Sequence, residues 1–366
     1  MTFAGTATTV EVLKHQIHPQ HPPAPEEVIA LKAYSAMKRK ATEHPEAPPA
    51  QILRTELPKV PSPARLYLPE RQTMKRTFNR RRQRAFPVNP KTLQDLDEIP
   101  DEFKLTMAKK KKFLCYDSYF DDEDDEARRK KRILLFASKS SLQALSASPV
   151  LHFDGTFETA PDIFAQIVTI HGEYRNETFP YVYSLLPDKT EDSYRRLISA
   201  VFQACEDYGI AHPTPTTCIM DLEKGLINAV LAEFEDVEIR LCLFHLRQAA
   251  FRKIIELGLM PAFRAPEDDS VRKGFRQIVG TAFVPTEDVV QAFLEARAAL
   301  PHSMAAFADY FETNYVMGRR ARGNRRPPAP RYPPRQWNQH IAAREKLSRT
   351  NNATEAWHDR FQACDS

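Results

Sequence analysis

A chain of 366 residues with 42% hydrophobic content is long enough for one large domain or two ordinary ones, each with its own core. Its 52 Lys and Arg against 48 Asp and Glu leave a net charge of only +4, so the placement of charge matters more than the sum. No apolar run approaches the roughly 20 residues that span a bilayer, no basic-then-apolar leader opens the chain, and the five cysteines are scattered without a CxxC pair; this excludes a disulfide scaffold and points to a soluble protein of a reducing compartment, with no membrane role.

Residues 1–112 are rich in proline and basic side chains. After Pro19, Pro22, Pro23 and Pro25, the apolar residues Val28, Ile29, Leu31, Ala33 and Met37 predict a helix over 26–40, and a proline-spaced stretch covers 45–69. The block 75–84 follows, with Lys75, Arg76, Arg80, Arg81, Arg82 and Arg84. Such a block neutralises phosphates whatever the base sequence, and equally suits a solvated helix face or a nuclear localisation signal. A short amphipathic pattern runs over 93–105. Residues 113–132 read as a charged linker: the acids at 121–126 and the cations at 128–132 predict a solvated connector rather than a metal site.

From residue 133 the texture changes. Strands are predicted at 133–137, 150–154, 164–171, 179–186, 217–221 and 238–244, and helices at 140–147, 191–208, 222–234 and 246–257. The polar turn 172–178 pairs the strands on either side of it as a hairpin. Three antiparallel strands followed by helix–strand alternation give the α/β class, specifically a ribonuclease-H-like mixed sheet flanked by helices, with its core at 133–257. Asp154 and Asp221 each close a predicted strand, and in that layout the two acids meet at one edge. Asp also ends strands at turns, and either acid alone would mean no more than that. Helices over 271–279, 286–300 and 304–311 then leave the sheet, predicting an α-helical insertion at 258–345 with a basic loop that carries Arg319, Arg320 and Arg322. The chain returns to a core helix at 346–366, where Asn351 or Asn352 caps the start and Glu355 lies in the first turn. Three carboxylates from separated segments supply the oxygen donors that hard divalent cations need against a phosphodiester.

Six pieces fall in one order: Phe153-Asp154-Gly155-Thr156-Phe157, Gln166 through Gly172, Asp221-Leu222-Glu223-Lys224, Cys242 through Gln248, Tyr310 through Tyr315, and Thr350-Asn351-Asn352 followed by Glu355-Ala356-Trp357-His358. With these, residues 132–361 resemble the transposase domain of Mutator-like elements, a DDE-type group related to the hAT transposases. The resemblance implies that Asp154, Asp221 and Glu355 are the catalytic triad and hold two Mg²⁺ or Mn²⁺ ions for DNA strand cleavage and transfer. It implies DNA as partner, a homo-oligomer as assembly and the nucleus as compartment. Cys242 and His245 match the family's CxxH motif, a candidate zinc half-site whose remaining ligands would come from His302, His340, His358 or Cys364. The structural alternative is a buried Cys beside a hydrogen-bonded His, and His358, one turn after Glu355, is equally a residue that orients that acid or a packed histidine.

The chain departs from the family in two places. Many members have an N-terminal FLYWCH zinc finger, yet no cysteines precede His15, His18 and His21 here, and the chain stops eleven residues after Glu355 (366 − 355 = 11), without a SWIM-type motif. Both ends therefore read as truncated, and the alternative function is a domesticated or inactive transposase-derived protein that binds DNA or chromatin. A nuclease acting on RNA–DNA hybrids would share the metal chemistry but leave the insertion unexplained.

Overall fold

The structure, a computed structural model, describes residues 2–4, 11–14, 24–44, 47–85, 87–106, 111–120, 131–156, 160–175, 177–319 and 328–345. It forms two compact units that divide between Asn89 and Pro90.

In the first unit β1 (Thr2–Ala4) pairs antiparallel with β2 (Glu11–Lys14). Four helices follow: α1 (Pro25–Glu43), α2 (Pro49–Glu56), α3 (Ser62–Arg65) and α4 (Arg71–Ala85). Proline opens α1 and α2, where its missing N–H would have had no helical partner anyway. Ala30, Met37 and Ala41 of α1 bury against Ile52, Leu53, Met74 and Phe78. The helix predicted over 26–40 is present and runs slightly longer. The cationic block folds as part of α4 because Met74 and Phe78, four residues apart, give that helix a buried stripe.

The second unit begins well before residue 113. Leu93, Leu96 and Ile99 pack on Leu114, Leu134 and Phe164, and the amphipathic pattern there forms two short 3₁₀ turns, Leu93–Asp95 and Asp101–Lys104. The segment expected as a charged linker contains a strand, β3 (Leu114–Asp117), antiparallel to β4 (Leu134–Phe136). Arg132, expected in a solvated run, is buried at 1% exposure. Its Nε and Nη2 donate to the two carboxylate oxygens of Asp117 at 2.8 and 2.6 Å, its Nη1 donates to the carbonyls of Leu96 and Asp97, and its guanidinium lies over the Tyr119 ring. A planar fork with each edge occupied is the form in which an arginine can be buried.

β5 (Val150–Thr156), β6 (Gln166–Tyr174) and β7 (Glu177–Leu186) form an antiparallel meander, while β8 (Thr217–Met220) runs parallel to β5 and β9 (Glu238–Leu241) parallel to β8. The full order is β3-β4-β7-β6-β5-β8-β9. The fold is thus α/β, a seven-stranded mixed sheet flanked by helices, compatible with the ribonuclease-H-like layout. β3 and β4 extend its β7 side. Leu151, Phe153, Val168, Ile170 and Val182 face the hydrophobic core with α5 (Lys139–Ser146) and α6 (Glu191–Asp207). Because side chains alternate across a strand, His152, Asp154, Thr169 and His171 fall on the opposite face.

After α7 (Lys224–Glu233) and α8 (Leu243–Glu256) comes the expected run of helices: α9 (Met260–Arg264), α10 (Ser270–Gly280), α11 (Val289–Ala298) and α12 (Ala305–Phe311), which continues as a π turn, Glu312–Val316. Two short helices, α13 (Pro334–Trp337) and α14 (His340–Arg344), follow. This insertion is not a separate lobe. Phe275, Phe293, Phe307, Phe311 and Trp337 belong to the same buried cluster as the sheet residues. Among the described residues no helix is long and apolar enough to cross a membrane.

Candidate active site

β5 and β8 lie side by side, with His152 opposite Ile219. Asp154 is within β5, paired across to Thr169 of β6, rather than at the strand's end as the sequence suggested. It is 4% exposed, so the sheet fixes its backbone and burial restricts its side chain. Asp221 follows β8 directly. The N–H of Cys242 donates to the Met220 carbonyl at 2.9 Å, which sets the start of α8 beside Asp221 and brings in His245, in that helix's first turn. Ligand atoms of Asp154, Asp221 and His245 lie within 4.8 Å of one another, the one group among the described residues that offers three such donors to an ion.

His245 Nδ1 is 2.7 Å from Asp221 Oδ1. Burial works against a charged imidazole, but the Asp221 carboxylate and the neighbouring Cys242 sulfur outweigh it and push the His245 pKa up to about 10. His245 is therefore an imidazolium at neutral pH and balances the charge of Asp221. A third carboxylate stands close by: burial raises the Glu223 pKa and the charge of Asp221 adds to the rise, while the Tyr194 hydroxyl, donating to it, opposes it. Gln166 Nε2 in turn donates to the Tyr194 hydroxyl at 2.8 Å.

The insertion reaches back to this site. The Tyr332 hydroxyl donates to the Leu222 carbonyl at 2.6 Å, directly after Asp221. Trp337, fully buried, donates from Nε1 to the carbonyls of Tyr315 and Tyr332 at 2.9 and 3.1 Å, and Gln339 Nε2 donates to the Leu241 carbonyl at 3.1 Å.

Residues 150–249 match the family model of the MULE transposase domain. The chain carries a Mutator-like transposase domain. The matched segment of this domain runs from β5 into α8, so it contains Asp154, Asp221, Cys242 and His245 and stops before the insertion. No curated protein matches the chain.

Within this MULE transposase domain the structure brings together Asp154, Asp221 and His245; Glu355 lies outside the described residues, as do Arg320 and Arg322. Arg319 is exposed. On α4, Arg80, Arg81 and Arg84 are exposed, whereas Arg82 turns inward and donates to the carbonyls of Ala41 and Ala47, which removes it from the set expected to meet DNA. Cys242 and His245 are neighbours, but the described residues bring no second Cys or His pair into one ligand group with them. His302 is exposed, the His340 Nδ1 meets the Phe283 carbonyl at 3.0 Å, and His358 and Cys364 are not among the described residues.

Two participants are not marked by the sequence pattern. Glu223 stands in the 221–224 motif without a role of its own. The motif pairs His245 only with Cys242, although the predicted order already places the start of the helix after β9 next to the end of β8. The donor set suits a hard divalent cation: Asp154 and Asp221 offer carboxylate oxygens, with the His245 ring beside them at 2.7 Å from Asp221.

Proposed function

We propose that this chain is a DDE-type transposase that cleaves and joins DNA strands, with Asp154, Asp221 and Glu355 holding Mg²⁺ or Mn²⁺. The observation that carries it is the meeting of Asp154 and Asp221, from neighbouring parallel strands, inside the segment that matches the MULE transposase domain. Glu355 joins them on sequence resemblance alone. Divalent ions, when bound, supply activation of the attacking oxygen and stabilisation of the leaving one. The chain's own residues position and neutralise. Asp154 is fixed by the β5–β6 ladder, and Tyr332 holds the backbone behind Asp221. His245, 2.7 Å from Asp221, balances its charge and places a cation near the charge that a phosphodiester brings in. On this basis DNA is the substrate; the nucleus as compartment and a homo-oligomer as assembly rest on the family resemblance alone.

The test is nicking of an end-labelled DNA duplex with Mg²⁺ or Mn²⁺, wild type beside Asp154→Asn and Asp221→Asn. Cutting by the wild type that each variant loses is the expected result. An Asp221→Asn protein that cuts normally removes Asp221 from the site. A folded wild type that binds DNA without cutting it leaves the DNA- or chromatin-binding alternative.

A further inference from the structure

The outer face of α4 has a composition that packing does not explain. Met74 and Phe78 are buried and Arg82 is anchored inward, which orients the helix. At 3.6 residues per turn the far side then presents Gln72, Arg76, Asn79, Arg80, Gln83 and Arg84, all exposed. A face that only confers solubility mixes signs and forms pairs four residues apart. This one has no acid anywhere in its 15 residues, and none of its exposed arginines makes an ion pair among the described residues. Arg76, Arg80 and Arg84 instead stand at successive four-residue steps, where like charges repel and weaken the helix. Arg71 in the first turn also opposes the helix dipole, whereas Arg84 in the last turn is favoured by it. An arrangement this unfavourable for the free protein calls for an anionic occupant.

The uncharged members narrow the choice. Arginine fits the guanine edge and Asn or Gln the adenine edge in the major groove of B-DNA, a groove about 12 Å wide that admits one α-helix. Phosphate binding alone would need no Asn79 or Gln83 between the arginines. Beside the first turns of α4 a cleft is lined by Arg54, Arg65, Arg71 and Lys75 over Leu53 and Leu57, which supplies cations at a groove's edge. Arg65 there is held by the carbonyls of Val60 and Pro58.

We propose that α4 is a base-reading helix that lies in the major groove of duplex DNA, with Arg76, Asn79, Arg80 and Gln83 at the base edges and Arg54, Arg71 and Lys75 on the flanking phosphates. It rests on DNA being the substrate, as proposed above, but not on the chain's cutting it.

The full chain is used to select, in EDTA, from a pool of random 30-base-pair DNA duplexes. Wild type is compared with Asn79→Ala/Gln83→Ala and with Arg54→Ala/Arg71→Ala, each checked for an unchanged melting temperature, since all four side chains are outside the core. Wild type enriches a motif of a few adjacent base pairs. The Asn79→Ala/Gln83→Ala protein loses about tenfold or more of the preference for that motif over a shuffled sequence, while its affinity for random duplex changes less than about twofold. The arginine variant loses affinity for both sequences alike and shows a shallower salt dependence. Failure to enrich any motif, a preference that survives Asn79→Ala/Gln83→Ala, or equal binding to the same sequence as duplex RNA, whose major groove admits no helix, overturns the proposal. Because no metal is present, a chain that cannot cut still yields the motif, so failure here and failure in the nicking assay are told apart.

Discussion

His245 and Asp221 form a pair whose protonation has a definite sign. The folded His245 pKa of about 10 lies above the ordinary value of 6.5, so the pair's stabilisation is complete below about pH 6.5 and is lost as pH rises through about 10. Denaturant unfolding of the metal-free protein at pH 7 and pH 10 should show stability falling, and His245→Gln should fall less over the same interval; parallel curves for the two proteins would show that the pair contributes nothing. The buried pair of Arg132 and Asp117 makes a second case. Removal of one partner of a buried ion pair leaves the other uncompensated, so Asp117→Asn should cost about 3–5 kcal/mol in a urea titration. These residues also show where the sequence stops being legible. In a run of five cations nothing local marks Arg132 as the buried one; Asp117, fifteen positions upstream, decides it. Arg82 is likewise turned inward by carbonyls of Ala41 and Ala47, which no pattern within 75–84 could indicate.

Elements were easier to read where they were long. The hairpin of β6 and β7, the amphipathic α6 and the strand–acid–helix passage at 217–233 follow from periodicity, because each has enough residues for a pattern to repeat. β3 has four residues and sits beside dense charge, so no repeat could show it. The element with most leverage on the site is the segment that carries Tyr332 and Trp337. Trp337→Ala should cost about 3–5 kcal/mol by leaving a cavity and two unpaired carbonyls. Tyr332→Phe removes one hydroxyl and should cost about 1 kcal/mol in stability, yet reduce DNA cutting more than that loss accounts for, because the freed carbonyl adjoins Asp221; equal effects on folding and cutting would reduce Tyr332 to a packing residue. Gly318 has φ +82°, and a β-carbon there would come within 2.1 Å of the Pro328 carbonyl oxygen. Gly318→Ala must therefore shift the Pro328 backbone, and a lowered melting temperature is the expected sign.

At the scale of the molecule, the strand order around the acids was inferable because three antiparallel strands followed by parallel ones leave few ways to arrange a sheet. The division between Asn89 and Pro90 was not, because proline and basic residues continue across it without a change of texture. Nor did the sequence reveal that the insertion and the sheet share one core. That sharing predicts common unfolding: amides of α11 and of β6 should exchange with deuterium with the same free energy under conditions where global opening dominates. Earlier exchange in α11 would mean that the insertion opens by itself.

The hydrogen bond from Tyr332 to Leu222 spans 110 positions of sequence, and it gives synthesis an order. His245 leaves the ribosome 87 residues before Tyr332 (332 − 245 = 87), an interval of roughly 4 to 17 s at ordinary elongation rates. Throughout that interval the nascent chain holds Asp154, Asp221 and His245 without the tyrosine that fixes the backbone between them, and without Trp337 of the shared core. Asp154 and Asp221 are thus made well before the residue that fixes the backbone beside them.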